Sequence, residues 1–99
     1  MTSSIPPLNP LRTFEVAARL CSLTLAAEEL NVSQVAVSRQ VKTLEDYFGV
    51  TLFRRMHRGV ELTDEGKQLY DGITRAFVDI ANASRRVSRR GRRDILAIQ

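Results

Sequence analysis

A chain of 99 residues with 43% hydrophobic side chains can build one small core and little more. Its 15 lysines and arginines outnumber 11 aspartates and glutamates, and the net charge of +4 favours an anionic partner. One cysteine and one histidine exclude an internal disulfide and a zinc site made of such ligands, and no apolar run is long enough to span a membrane.

The first predicted elements are a lead-in and two short helices. Residues 1–7 are rich in serine and proline and are predicted to be disordered. Asn9 is the predicted N-cap of helix 1, with Pro10 at the first helical position, and Thr24 is the predicted cap of helix 2. Cys21 is predicted to be a small buried residue beside helix 1. The apolar residues that recur at helical spacing are Leu11, Phe14, Ala17, Ala18 and Leu20, then Ala26, Ala27 and Leu30.

The segment NVSQVAVSRQVKTLE, which begins at Asn31, is the most informative part of the chain. Asn31 tolerates a positive φ at a tight turn, Ser33 is suited to cap the next helix, and Gly49 is suited to end it. Val32 is predicted to fill the corner of the core. The predicted buried stripe of helix 3 is Val37, Val41, Leu44 and Phe48. This pattern is typical of a helix-turn-helix, in which the recognition helix, here 34–48, enters the DNA major groove.

A β-hairpin is predicted over residues 50–63, because two short β-prone runs flank the basic tip MHRG. This hairpin would form a wing, with residues 54–60 on the minor groove or the DNA backbone. Its apolar residues should hold it to the core: Leu52, Phe53, Val60 and Leu62. Three helices and a wing predict a mainly α fold, a winged helix-turn-helix over residues 8–63.

A long fourth helix is predicted over residues 64–90, capped by Thr63 and followed by a hinge and the start of a β-strand over 91–99. A small domain cannot cover so long an apolar stripe, so the helix is predicted to dimerise with a second copy. The heptad positions of this predicted dimer interface are Leu69, Ile73, Ala76, Ile80, Ala83 and Val87.

Base-edge contacts carry sequence information, and phosphate contacts position the protein. The predicted base-reading residues are Gln34, Val35, Ala36, Ser38 and Arg39. In these contacts Gln34 suits adenine and Arg39 suits guanine. The predicted contacts with the DNA backbone or minor groove come from Thr24, Ser33, Lys42, Arg54, Arg55, Arg58 and Thr63. Two roles stay open for Arg55: a phosphate contact, or an ion pair with an acid such as Glu45.

The sequence resembles the N-terminal domain of a LysR-type transcriptional regulator, and the similarity covers nearly the whole chain. Within that family, the opening PPLNPLRTFEVAARL and the run AAEELNVSQVAVSRQVKTLED are similar to glycine-cleavage activators and β-lactamase regulators. The residues that carry the resemblance are Phe14, Ala26, Ala27, Leu30, Ser33, Gln34, Ala36, Val37, Ser38, Gln40, Leu44, Glu45, Gly49, Leu52, Phe53, Arg55, Leu62, Thr63 and Gly66.

The resemblance implies a bacterial, cytoplasmic regulator that binds double-stranded DNA at an interrupted inverted repeat. It further implies a homodimer joined through antiparallel linker helices, a tetramer in the full-length protein, and no role for a membrane. No cofactor is expected in residues 1–99; a small-molecule effector is expected in a C-terminal domain beyond them.

Two alternatives remain open at this point. The chain could be a helical oligomerisation or interaction module, for which DNA binding would show no steep salt dependence. It could also bind nucleic acid mainly through the arginine cluster between Arg85 and Arg93, which could equally be a solvated hinge. An enzyme is the least supported class, because the sequence has no nucleophile–base pair, metal-ligand cluster or phosphate-cradling glycine loop.

Overall fold

The computed structural model describes the backbone of residues 5–98 and the side chains of residues 5–90. Its elements in chain order are α1 (Leu8–Leu20), α2 (Leu23–Leu30), α3 (Gln34–Phe48), β1 (Phe53–Met56), β2 (Gly59–Leu62) and α4 (Asp64–Ile98). The predicted helical fold with a two-stranded wing and a long final helix is confirmed. Of the predicted disordered lead-in, residues 1–4 lie outside the described residues, and residues 5–7 form neither helix nor strand.

One apolar core joins the three short helices to the wing. The ring of Phe14 in α1 lies 5.2 Å, centroid to centroid, from the ring of Phe53 in β1, which packs the wing against the helices. Ala26 and Ala27 are buried, and their small side chains let α2 approach its neighbours closely. The largest side chains that are fully buried are Phe14, Leu44, Leu52 and Val37.

Both ends of α3 are set by the residues that the sequence predicts. Asn31 adopts a left-handed conformation with φ 59°, and Gly49 does the same with φ 70°. The Ser33 hydroxyl accepts a hydrogen bond of 3.0 Å from the Ala36 N–H. These local interactions fix where the recognition helix starts and stops, and so which of its side chains point outward.

The starts of α1 and α2 correct two predicted caps. Helix α1 begins at Leu8 with Pro7 at its N-cap position and no side-chain cap, so Asn9 is already helical. Helix α2 begins at Leu23, and the Ser22 hydroxyl, not that of Thr24, accepts from the Leu25 N–H at 3.0 Å. Ser22 and Thr24 both carry a hydroxyl that can cap a helix. The helix begins at the earlier position, where Leu23 is buried.

Three residues predicted in the core are exposed. Cys21 ends α1 in a left-handed conformation with its thiol accessible, and Val32 lies open at the turn. Phe48 is 40% exposed, although it continues the stripe of Val37, Val41 and Leu44, which are buried as predicted. The last turn of α3 borders an open groove beside α4, so helical periodicity alone does not determine its burial.

The wing is an antiparallel pair in which Phe53 lies opposite Leu62 and Arg55 opposite Val60. The Val60 N–H donates to the Cys21 carbonyl at 3.2 Å, which attaches the wing to the end of α1. Gly59, with φ +97°, lies so close to that carbonyl that a Cβ would be 2.4 Å from its oxygen. The hairpin is therefore held at a fixed place beside α3.

Helix α4 begins as predicted, because the Thr63 hydroxyl accepts from the Gly66 N–H at 3.0 Å. It continues through Gly91 to Ile98, so the predicted hinge and β-strand over 91–98 are wrong; Gln99 lies outside the described residues. A lone strand would leave its backbone N–H and C=O groups without protein partners, whereas a helix pairs them internally.

The predicted dimer seam divides into two parts. Leu69 and Ile73 are half-buried against the core of their own domain. Farther along α4 the seam residues have no such cover: Ala76, Ile80, Ala83 and Val87 are exposed. Two residues that heptad spacing did not indicate, Tyr70 and Phe77, join the attachment to the domain.

Candidate nucleic-acid interface

The outer face of α3 combines polar, basic and small apolar side chains. Gln34, Val35, Arg39 and Lys42 are exposed. Val35, Arg39 and Lys42 lie on the side of the helix away from its buried stripe, whereas Gln34 is exposed because it is the first residue of α3. Ala36 and Ser38, the other predicted base-reading residues, are half-buried at the two margins of this face. All five predicted base-reading residues therefore lie within the first two turns of α3, around its exposed N-terminal end.

A groove of about 190 Å³ separates α3 from the wing and gathers predicted contact residues from both elements. Ser38 and Lys42 line it from α3, and Arg55 lines it from β1. Arg55 lies on the inner face of the hairpin, two residues after Phe53, yet its side chain is exposed. Two cations and a hydroxyl at one groove are the kinds of side chain that bind DNA phosphates.

Glu45 holds the wing against α3 from inside this groove. Its Oε2 atom accepts from the Leu52 N–H at 2.7 Å and from the Phe53 N–H at 3.4 Å. Of the two roles left open for Arg55, an ion pair with Glu45 is therefore not the one adopted, and Arg55 forms no salt bridge with any acid in residues 5–90. Its guanidinium remains available to an outside anion.

Replacing Glu45 with alanine is expected to lower the free energy of unfolding by about 2 kcal/mol, because two partly buried N–H groups lose a charged acceptor. Amide hydrogen exchange should accelerate at Leu52 and Phe53. Glu28→Ala, an equal truncation at an exposed residue of α2, is the control. Unchanged exchange at the two amides would show that Glu45 does not hold the wing.

Two other predicted contacts lie in exposed ion pairs. Lys42 Nζ is 3.3 Å from Asp46 Oδ1, and Arg54 Nε is 3.4 Å from Glu61 Oε2. Surface pairs of this kind contribute at most about 1 kcal/mol, so a DNA phosphate can compete with the carboxylate. Both cations therefore remain usable for DNA contacts.

Arg19 is also exposed but pairs with two carboxylates at once. It donates hydrogen bonds to Glu29 of α2 and, at 3.3 Å, to Glu15 of α1. The hydrogen bond to Glu29 is the main reason why the pKa of the Arg19 guanidinium is raised above its ordinary value. Between two carboxylates, Arg19 adds little positive potential to the surface.

The three hydroxyl residues predicted to contact DNA differ in exposure. Ser33 is exposed at the start of α3, and Thr24 is exposed in the first turn of α2. Thr63 is buried, and its hydroxyl donates to the Thr51 carbonyl at 2.7 Å while accepting from Gly66. The Thr63 hydroxyl is therefore already used inside the fold, which argues against the predicted contact between Thr63 and DNA.

The margin of α3 opposite the wing contains a cation that the sequence analysis did not single out, Arg12. Asn9 and Arg12 of α1 line a groove of about 210 Å³ together with Ala36 and Gln40 of α3. Arg12 is exposed and so adds a cation on this side. Helical periodicity places Arg12 on the outside of α1, but only the packing of α1 across α3 brings it to the recognition face.

The wing tip carries Arg58 and His57 in the turn between β1 and β2, both exposed. The predicted base-reading residues are thus flanked by cations from the wing on one side and from α1 on the other. In residues 5–90, no group of three or more His, Cys, Asp or Glu side chains could hold a metal ion. Nor does the described part contain a helix apolar enough, at sufficient length, to cross a bilayer.

A three-helix core, a capped second helix of a helix-turn-helix and a basic hairpin define a winged helix-turn-helix domain. Residues 8–67 match the family model described as "Bacterial regulatory helix-turn-helix protein, lysR family". The chain belongs to the LysR family, as the sequence predicted.

Named relatives agree with this assignment. The chain is 45% identical over 98 residues to the glycine cleavage system transcriptional activator of Escherichia coli (strain K12). That alignment covers 99% of this chain and 32% of that protein. It is 57% identical over 77 residues to the HTH-type transcriptional regulator TrpI of Pseudomonas aeruginosa, covering 78% of this chain and 26% of that protein. The chain thus spans about a third of the length of the curated relatives that it matches.

Solved structures match the same part of the molecule. A CbnR DNA-binding domain in complex with DNA superposes with a TM-score of 0.71 at 35% identity, covering 84% of this chain and 94% of that one. A BenM DNA-binding domain bound to its catB site 1 DNA superposes with a TM-score of 0.78 at 30% identity, covering 84% and 93%.

Proposed function

We propose that residues 8–63 bind double-stranded DNA as the operator-recognition module of a bacterial LysR-type regulator. In this proposal α3 enters the major groove, and the wing, residues 54–60, lies on the minor groove or the backbone. The observation that carries the proposal is the face of α3, where base-reading side chains lie between cations of the wing and of α1. The similar CbnR and BenM DNA-binding domains are both in complex with DNA, which supports DNA binding by this domain.

The proposed contacts follow from side-chain chemistry. Gln34 and Arg39 bond adenine and guanine edges, and Val35 and Ala36 contact thymine methyl groups. The proposed backbone contacts, with Thr63 now removed, come from Thr24, Ser33, Lys42, Arg54 and Arg55. In addition, Arg12 contacts a phosphate and Arg58 reaches the minor groove, where narrow A·T tracts attract arginine.

Two copies are proposed to act together through α4. Exposed apolar residues on the outer half of this helix support a homodimer, which would bind an interrupted inverted repeat. The proposed organisation is a DNA-binding domain over 8–63 and a dimerisation helix from residue 64. For a full-length protein we extend the proposal to a cytoplasmic tetramer whose C-terminal domain binds a small-molecule effector.

Selection of bound duplexes from a random pool tests the function directly. The expected outcome is an inverted repeat with two half-sites, and binding that weakens with salt by a slope of about −0.9 per phosphate neutralised. Weak binding without sequence preference would instead favour the interaction module or the arginine cluster as the source of the affinity.

Arg39→Ala is expected to weaken binding to the selected duplex by roughly 1–3 kcal/mol and to relax the preference at one base pair, because a bidentate contact to guanine is lost. Repeating the selection with the variant measures this preference. Arg75→Ala removes an equal charge from the exposed surface of α4 and is the control. A preference that survives Arg39→Ala unchanged would remove Arg39 from the base-reading set.

A further inference from the structure

An open apolar groove lies where the end of α3 meets the start of α4. Its volume is about 380 Å³, and its lining is Phe48, Val50, Leu52, Glu65, Gln68 and Leu69. Phe48 is the exposed aromatic residue of this groove, and the Tyr47 ring meets it edge-on with the centroids 5.0 Å apart. The DNA-binding face on the first turns of α3 leaves this groove unused.

The apolar sequence of α4 indicates what covers the groove. Two α4 helices can be placed antiparallel so that they cross level with Val78 of each copy. The seam then sets large residues of one copy against small residues of the other: Ile73 against Ala83, and Ile80 against Ala76. A parallel pair would place each alanine against an alanine and leave gaps. The antiparallel pairing puts Val87 of one copy at Leu69 of the other, directly beside the groove.

Charge along α4 favours the same orientation. Asp64 and Glu65 occupy the first turn, while Arg85, Arg86, Arg89 and Arg90 crowd the far end of the described side chains. Parallel helices would bring these arginines against one another, whereas antiparallel helices bring them to the acidic end. At 100° per residue, Glu65 and Arg90 lie on the seam side of α4, Arg86 lies on the flank next to them, and Asp64, Arg85 and Arg89 lie on the far side of the helix.

We infer that the groove between α3 and α4 of each copy receives the arginine-bearing end of α4 from the second copy. In this arrangement, Arg90 of the second copy lies level with Gly66, within reach of the Glu65 carboxylate and the open face of the Phe48 ring. Arg86 lies about one turn away, beside Gln68. The inference rests on the proposed homodimer and gives the arginine cluster a role in its assembly.

Charge reversal tests the inference, with dimer dissociation measured by sedimentation equilibrium. Glu65→Arg, or the pair Arg86→Glu and Arg90→Glu, is expected to weaken the dimer by roughly tenfold or more, because an attractive contact becomes repulsive. The combination of all three substitutions restores attraction and should recover most of the affinity.

Matched controls separate pairing from general charge effects. Asp64→Arg lies in the same helical turn as Glu65→Arg and changes the net charge by the same amount, but it points away from the groove. The pair Arg85→Glu and Arg89→Glu is the corresponding control for the two arginine reversals. Both should leave the dimer within about twofold of the wild type.

Each failure has a distinct meaning. A wild-type chain that is monomeric at all concentrations contradicts the proposed homodimer itself. A stable dimer that ignores Glu65→Arg, or that the combined variant does not restore, overturns the inference. The same holds if the arginine reversals weaken DNA binding and leave the dimer intact, since the cluster would then serve as a nucleic-acid arm.

Discussion

Gly66→Ala is expected to lower the free energy of unfolding by about 3 kcal/mol, although alanine is ordinarily the better helix former. A Cβ at this position would lie 2.2 Å from the Leu52 carbonyl oxygen and 2.9 Å from a methyl carbon of Leu62. The backbone oxygen cannot move aside cheaply, because it accepts from the Thr63 N–H at 3.0 Å. Helix α4 would have to separate from the loop that precedes the wing.

Gly72→Ala is the matched control for this experiment. Gly72 lies in the same helix, and no heavy atom is within 4 Å of the Cβ that alanine would add. This variant should gain stability by about 1 kcal/mol through helix propensity alone. Urea denaturation followed by circular dichroism measures both changes, and equal effects at the two glycines would contradict close packing at Gly66.

Ile80→Asp is expected to yield monomers and to weaken binding to a duplex with both half-sites by roughly 100-fold, because two linked domains bind far more tightly than one. Ile80 is 55% exposed in a single copy, so the substitution removes little of the chain's own core. Binding to a duplex with only one half-site should change much less. Analytical ultracentrifugation and fluorescence anisotropy give the two readouts.

Val78→Asp provides the comparison for Ile80→Asp. Val78 is 52% exposed and lies on the opposite side of α4, two residues away. The Val78→Asp variant introduces the same charge outside the predicted seam, so we expect this variant to remain dimeric. If both variants, or neither, dissociate, the seam does not form the contact between the copies. Ile73 is less suitable for this test, since it packs against its own domain.

Local signals were sufficient to predict the recognition helix and the wing. Ser33 and Gly49 cap α3 through contacts within a few residues, and the buried stripe from Val37 to Leu44 follows from helical geometry. The hairpin likewise follows from β-prone runs around a short basic turn. Most of the residues proposed to read bases could be found in the same way, because the face opposite a buried stripe is outward by necessity; Gln34 follows instead from its place in the first turn, directly after the Ser33 cap.

What the sequence by itself determined is therefore the order of the elements, the outer face of α3 and the family. The tertiary structure alone decided which backbone N–H groups donate to Glu45, that the Thr63 hydroxyl is used inside the fold, and that Arg12 lies beside α3. It also decided that α4 divides its apolar face between its own domain and the outside. Helix caps and periodicity act within one element, whereas these contacts join different elements, and only packing in three dimensions brings those elements together.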